Sequence, residues 1–286
     1  MEDLNGRTAF ITGGARGIGL GIARSLAKQG VKLAIVDIDQ ATLDAAKAEL
    51  SELVPTEAFI LDVRDRERYV EVADEVESKL GPVSLLFNNA GVTGGESTAK
   101  MTYESWDWML DINLGGVING VQTFMPRMIE RGEGGHIVNT ASGAGLVVIG
   151  AGVMYSAAKF GVVGMSEALW HGLSKYGIGV SILCPGYVST GIVDNSIAFR
   201  TGDDGTDPAP DTAKRENSRH SIEGGVSPDF VGDIVLNAIK GKHLYVYTDR
   251  MIEPYLEERH KMLTSAFEPL EALLAVAPDV KQETSA

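Results

Sequence analysis

Short runs of almost continuous apolar residues recur along the chain, separated by longer stretches in which apolar side chains return every three or four positions. The runs at 8–12, 32–37, 57–61, 83–88, 136–140, 179–184 and 244–248 have the length and residue types of β-strands. Leu33-Ala-Ile-Val36 and Val83-Ser-Leu-Leu-Phe87 lack the regular polar alternation of a half-solvated strand, so both of their faces are expected to be covered. The segments between them are long enough for helices. Such alternation of strand and helix predicts an α/β fold, a doubly wound parallel sheet, as one domain over residues 1–250.

Two segments depart from this rhythm. Residues 191–225 are polar and rich in Gly, Asp, Pro and Thr, and are expected to form a loop acting as a mobile lid. Apolar side chains at 192–199 would close over a substrate, with Thr201-Gly-Asp-Asp-Gly-Thr-Asp-Pro-Ala-Pro210 left solvated. Residues 251–286 form a C-terminal extension of helix-forming sequence, apolar at Ile252, Leu256, Leu263, Phe267, Leu270 and Leu274. It is expected to pack on the domain, and covering the pocket or joining subunits are both open to it.

Composition narrows the partners. The 286 residues carry a net charge of −14 with 44% apolar residues, a balance that repels phosphate backbones and anionic lipid surfaces. Neither nucleic acid nor membrane is an expected partner. Cys184 is the only cysteine, which excludes an internal disulfide and any multi-cysteine metal site. The polar N-terminus lacks the basic and apolar regions of an export signal, and 143–153 is too short to span a bilayer, so a cytoplasmic protein is expected. The five histidines have no metal-like spacing, and no metal is assigned.

Gly13, Gly17 and Gly19 fall between a predicted strand and a predicted helix. There they allow a tight turn and bring a pyrophosphate onto free amides at the helix N-terminus, with Arg16 and Ile18 in the same turn. Asp37 ends the next strand, placed to accept hydrogen bonds from ribose hydroxyls and to repel a 2′-phosphate, which favours NAD over NADP. Arg16 pulls the other way, as a phosphate ligand, unless a nearby carboxylate pairs with it. Farther along, Tyr155 and Lys159 sit four residues apart, on one face of a helix, with Ser142 upstream. An ammonium in that position stabilises a tyrosinate and draws the phenol down from about 10 toward neutrality.

Taken in order, Thr12-Gly-Gly-Ala-Arg-Gly-Ile-Gly19, Leu61-Asp-Val63, Asn88-Asn-Ala-Gly91, Asn113, Ser142, Tyr155-Ser-Ala-Ala-Lys159 and Pro185-Gly-Tyr-Val-Ser-Thr190 closely resemble the short-chain dehydrogenase/reductase family. The resemblance implies a Rossmann-like, seven-stranded parallel sheet with the dinucleotide across the strand ends. Asp62 and Val63 would flank its adenine, and Asn89, Ala90 and Gly91 would line the cleft. Pro185, Gly186, Val188 and Thr190 would hold the nicotinamide. Tyr155 would exchange a proton with the substrate hydroxyl as hydride moves, Lys159 would lower its pKa and bind ribose, and Ser142 would donate to the reacting oxygen. Asn113 would hold a water on the proton path through its helix backbone, with Gly115-Gly116 weakening that helix locally.

The residues expected around the substrate are Thr93 to Gly95, the run Gly143-Ala-Gly-Leu-Val-Val-Ile-Gly150, Met154, Tyr187, Ile192 and Phe199, small or apolar throughout. They suit a hydrophobic secondary alcohol or its ketone. The long 191–225 segment, the C-terminal extension, Phe124-Met-Pro-Arg-Met-Ile129, Lys175-Tyr-Gly-Ile-Gly-Val180 and Ser218-Arg-His-Ser-Ile222 further resemble bacterial dehydrogenases acting on benzylic alcohols of lignin-derived aryl ethers. Alicyclic alcohols, steroids and 3-oxoacyl thioesters stand beside that substrate. An NAD-dependent epimerase and an NAD sensor without turnover are the competing readings. A homodimer or homotetramer is expected from the family, with Trp106, Trp108, Met109 and Leu110 serving either an interface or the monomer core.

Overall fold

Alternate residues of the same strands feed two different hydrophobic clusters. Ala9, Ile11, Leu33, Ile35, Leu85 and Phe87 lie in one, and Phe10, Ala34, Val36 and Leu86 in the other. This is the two-residue period of a sheet covered on both faces. The computed structural model describes residues 3–94, 97–148, 150, 152–200 and 212–276.

The strands are β1 (Thr8–Thr12), β2 (Lys32–Asp37), β3 (Thr56–Ile60), β4 (Val83–Asn88), β5 (Gly135–Thr140), β6 (Ile178–Cys184) and β7 (Tyr245–Tyr247). They form one parallel sheet in the order β3-β2-β1-β4-β5-β6-β7. The winding reverses between β1 and β4, which opens a crevice beyond the C-terminal strand ends. Helices α1 (Gly17–Ala27), α2 (Gln40–Ser51), α3 (Arg66–Leu80), α4 (Tyr103–Leu110), α5 (Gly116–Arg131), α6 (Val153–Leu173), α7 (Ile192–Arg200), α8 (Thr212–Glu223) and α9 (Pro228–Gly241) complete the unit Met1–Asp249. A second unit, Arg250–Ala286, contains α10 (Glu253–Ser265) and α11 (Glu268–Val276).

Capping residues begin several of these helices. Asp39, Asp65, Thr102 and Ser227 each accept a backbone amide from the first turn of α2, α3, α4 and α9. On the first face, α1 and α9 cross at glycine contact: a Cβ on Gly21 would lie 2.1 Å from the Pro228 carbonyl oxygen. On the other, the Phe10 ring packs at a tilt against Phe124 and Tyr69 at centroid distances of 4.7 and 5.6 Å. Among the described residues no helix is long and apolar enough to cross a membrane.

One expectation is overturned. Residues 192–200 and 212–223 are helical, not loop, and the Gly- and Asp-rich stretch 201–211 lies outside the described residues. The reason is tertiary. Val193 and Ser196, three residues apart, give α7 a buried edge, and side-chain bonds from three other parts of the fold hold it.

Candidate active site

Gly13 and Gly17 adopt φ of +61° and +51°, a left-handed conformation that side chains oppose. Gly19 faces the turn so closely that a Cβ there would stand 2.1 Å from the Gly13 carbonyl oxygen, and one on Gly17 would stand 3.2 Å from Thr190 Cγ2. The turn therefore meets both its own helix and the Pro185–Thr190 loop. Arg16 occupies the N-cap of α1 without a capping side chain, which leaves the first-turn amides of Gly17, Ile18 and Gly19 directed at the crevice.

Asn89 braces this turn. Its Nδ2 donates to the carbonyls of Thr12 (3.1 Å) and Gly13 (3.4 Å). Thr12 Oγ1 accepts the amides of Asn89 and Ala90, each at 2.9 Å, and donates to the Phe87 carbonyl. Thr12 is thus a site residue that the sequence disclosed only as the first letter of the glycine motif.

Asp37 is nearly buried at the end of β2, with Oδ1 accepting the Ile38 amide at 2.9 Å. Burial pushes its carboxyl up, against the Arg16 charge and neighbouring amides. Arg16 lies 2.7 Å from Asp39 and 3.9 Å from Asp37. It also donates to Thr42 Oγ1 (2.8 Å) and Asn195 Oδ1 (3.1 Å) and packs over Phe199. Its guanidinium is committed to carboxylates and to α7, the paired state weighed against a phosphate ligand. Asp62, just after β3, pairs with Arg64 at 2.6 Å; burial raises its carboxyl, but the Arg64 bonds outweigh this and hold it below the usual range. Val63 is buried against Gly116 with its carbonyl bound by Asn119.

The chemistry gathers beyond β5. Ser142 Oγ accepts the Ala144 amide at 3.1 Å and shares a hydrogen bond with the Tyr155 hydroxyl. Lys159 is buried on the next turn of α6, its Nζ 5.7 Å from the centre of the Tyr155 ring and donating to the Thr140 carbonyl at 3.0 Å. A Cβ on Gly91 would lie 2.8 Å from Asn113 Oδ1 and 3.5 Å from Lys159 Nζ, so these groups surround one small space. Asn113 sits fully buried in a π-helical turn, Asp111–Gly115, the distortion expected ahead of Gly115-Gly116. Its side chain accepts from the Val92 amide and donates to the Met109 carbonyl.

Two further expectations need correction. The phenol of Tyr155 is not drawn toward neutrality: burial pushes it up, and the Ser142 bond opposes that only in part. Burial also pulls Lys159 down to about 8, which leaves it mostly protonated at neutral pH. Met154 is not a pocket wall. It is 2% exposed, in a cluster with Val92 and Met109 against which Trp106 and Trp108 pack.

The Pro185–Thr190 loop is fastened at three points. The Pro185 carbonyl accepts the Gly143 amide, and the Gly186 amide donates to Thr248 Oγ1 at 3.0 Å. A bridge joins Val188 to Val226 through the Ser189 amide and the Tyr187 carbonyl rather than through Val188's own polar groups, while the Val188 side chain enters the core. Across the crevice, Ser196 accepts the Thr93 amide at 2.9 Å, and Arg200 donates to Ser105 at 2.6 Å while packing over Trp108. Arg219 is paired with Asp194. Tyr187 and Val148 remain exposed as apolar surface, and Phe199 is 37% exposed at the end of α7. Gly95 and Ile149 lie outside the described residues. Among the described residues no three His, Cys, Asp or Glu side chains gather as metal ligands.

The sequence profile described as short chain dehydrogenase matches residues 7–200. C alpha-dehydrogenase of Sphingobium sp. (strain SYK-6) is 35% identical over 275 residues, covering 95% of this chain and 90% of that protein. Among solved structures, a short chain dehydrogenase/reductase from Burkholderia phymatum in complex with NAD superposes with a TM-score of 0.87 at 31% identity, covering 93% of this chain and 97% of the other. The apo form of LigO from Sphingobium sp. strain SYK-6 gives a TM-score of 0.79 at 35% identity, with 99% and 100% covered.

Proposed function

Since the chain belongs to the short-chain dehydrogenase family, we propose that it is an NAD-dependent oxidoreductase interconverting a hydrophobic secondary alcohol and its ketone through Tyr155, Lys159 and Ser142. The observation that carries this reading is the meeting of two constructions at one crevice. One is the braced glycine turn with Asp37 beside it; the other is the Ser142–Tyr155 hydrogen bond with Lys159 one turn away.

The residues fit a dinucleotide: Gly13, Gly17 and Gly19 leave a cradle that a Cβ would fill, uncapped amides of α1 face it, and a buried carboxylate waits at β2. NAD, when bound there, supplies the hydride acceptor for alcohol oxidation. Gly17, Ile18 and Gly19 would hold the pyrophosphate, Asp37 the adenosine ribose, and Asp62 and Val63 the adenine. Asn89, Ala90 and Gly91 would wall the cleft, and Pro185, Gly186, Val188 and Thr190 would set the nicotinamide face.

With the phenol raised, Tyr155 stands protonated near neutrality, the form that donates to a carbonyl during reduction. In oxidation the deprotonated form of the same phenol accepts the hydroxyl proton, and Lys159, held near 8, is poised to stabilise that tyrosinate. Ser142 steadies the reacting oxygen. Asn113, held by Val92 and Met109, keeps the π-helical turn in shape beside Lys159, where a water on the proton path would be bound.

The substrate reading is a benzylic or alicyclic secondary alcohol. Tyr187, Val148 and Phe199 offer apolar surface, and the guanidiniums of Arg200 and Arg219 are engaged by Ser105 and Asp194 rather than offered to an anionic substrate. Likeness to a protein named C alpha-dehydrogenase supports a dehydrogenase acting at an α-carbon. Residues 1–250 are the catalytic domain and 251–286 an extension, in a cytoplasmic homo-oligomer.

The test is turnover at 340 nm with NAD and a panel of aryl, alicyclic and steroid secondary alcohols, using wild type and Tyr155→Phe. Turnover should fall by about 100-fold to 10,000-fold in the variant while NAD affinity persists. Near-normal turnover in Tyr155→Phe would refute the assignment, and NAD binding without turnover of any substrate would favour the sensor.

A further inference from the structure

Ser166 lies seven residues beyond Lys159 and eleven beyond Tyr155 on α6. At 3.6 residues per turn, both catalytic positions fall within about 20° of Ser166 around the helix axis. Ser166 is fully buried. Its Oγ accepts from Asn139 Nδ2 at 2.9 Å and donates to the Val162 carbonyl at 2.6 Å, using its single proton.

The bond continues across the sheet. Asn139 Oδ1 accepts from Asn88 Nδ2 at 2.9 Å, and the two asparagines are register partners on β5 and β4. Both are buried. Asn139 precedes Thr140, whose carbonyl binds Lys159, and Asn88 precedes Asn89, the brace of the glycine turn. A row of neutral polar side chains thus runs through the apolar core from the cofactor edge to the catalytic helix.

Such groups cost stability relative to apolar packing unless every bond is made, and Asn88 Oδ1 is buried without a hydrogen-bond partner; what they add is direction. Apolar contacts hold a helix against a sheet but tolerate small rotations. At a side-chain radius of roughly 5–6 Å, a 10° rotation shifts a side-chain end by about 1 Å, and such a misplacement can cost about a hundredfold in rate. Lys159 cannot prevent that rotation, because it reaches Thr140 through a flexible four-carbon stem. Ser166 has no such slack.

We propose that Ser166 is a positioning residue for the proposed acid/base pair: its bond to Asn139 sets the rotational phase of α6 and so aims Tyr155 and Lys159 at the reacting oxygen. The inference rests on the function proposed above.

The test compares wild type, Ser166→Ala, Ser166→Thr and Tyr155→Phe in NAD-coupled alcohol oxidation from about pH 6 to pH 10, with NAD affinity measured by calorimetry. For Ser166→Ala, kcat should fall at least about tenfold with NAD affinity within about twofold of wild type. The pH limb belonging to the Tyr155–Lys159 pair should also move. Ser166→Thr, which keeps the hydroxyl, should recover most of kcat and the wild-type pH limb. Wild-type kcat and pH profile in Ser166→Ala overturn the proposal, as does a loss that tracks NAD affinity and is not recovered by Thr. If Ser166→Ala does not fold, Ser166→Cys, with a weaker donor and acceptor of similar size, should show intermediate kcat at unchanged NAD affinity; full kcat there overturns it. Turnover that survives Tyr155→Phe refutes the acid/base reading itself, whereas turnover lost in Tyr155→Phe but untouched in Ser166→Ala overturns the positioning role alone.

Discussion

Arg16 Nη1 donates to Asn195 Oδ1 across 3.1 Å, joining the glycine turn to α7 although the two residues are 179 positions apart in the chain. The same guanidinium binds Asp39 and Thr42 and packs over Phe199. One side chain therefore spans from the cofactor edge to the helix over the crevice. Removing it should release α7 without unfolding the sheet, because Asp39 is partly solvated and its loss of a partner costs only about 1 kcal/mol or less. In Arg16→Ala, hydrogen exchange at α7 amides should quicken by at least about tenfold while the strand amides keep their protection. Unchanged α7 exchange would show that the helix is held from elsewhere.

Asp37 should decide cofactor choice. Its carboxylate is buried and already carries the Ile38 amide, so ribose hydroxyls can complete its bonds whereas a 2′-phosphate meets like charge. Asp37→Ala should weaken NAD by about tenfold or more and NADP much less. Equal losses, measured by calorimetry with both dinucleotides, would count against the ribose role.

Gly19 offers a sharper steric test. A methyl there would stand 2.1 Å from the Gly13 carbonyl oxygen and 2.8 Å from Asn89 Nδ2, far inside van der Waals contact. Gly19→Ala should break the brace from Asn89 and raise the NAD dissociation constant at least about 100-fold, with circular dichroism close to wild type. NAD affinity near wild type would mean that the turn can relax.

His136 should shape acid stability. It is 1% exposed, and burial holds its pKa down at about 3 against an ordinary 6.5. Ser181 Oγ donates to the His243 carbonyl at 2.6 Å, so it accepts from His136 Nε2, which is the protonated nitrogen of a neutral ring. Between pH 6.5 and about 3 the unfolded chain binds a proton that the folded chain does not. Stability from this group is complete above 6.5 and is lost as pH falls through that window. Denaturant titrations of His136→Gln should therefore show a shallower loss of stability than wild type between about pH 6.5 and pH 4. Identical slopes would place the acid sensitivity in other groups.

Most of the architecture was legible because the strands carry it locally. Continuous apolar runs such as Leu33-Ala-Ile-Val36 can fold only where both faces are covered, and the observed strands agree with the expected ones to within a residue at either end. The glycine turn was equally legible, since positive φ at Gly13 and Gly17 admits few other residues. The failures share one cause. Helix α7 was read as loop because its buried edge is short and its anchors, Arg16, Thr93 and Ser105, come from distant segments. The raised phenol of Tyr155 was out of reach for the same reason, because four-residue spacing on a helix says nothing of depth, and burial sets the direction of its shift.

By itself, then, the sequence determined whatever depends on near neighbours: the strand and helix order, the backbone freedom of the glycine turn, and the pairing of Tyr155 with Lys159 on one helical face. The tertiary structure alone decided what depends on burial and on partners far along the chain. It turned Arg16 toward Asp39 and Asn195, buried Met154 among apolar side chains, raised the phenol of Tyr155 and linked Ser166 to Asn139. The physical reason is that desolvation and long-range hydrogen bonding are properties of the packed volume around a group, which no local stretch of residues encodes.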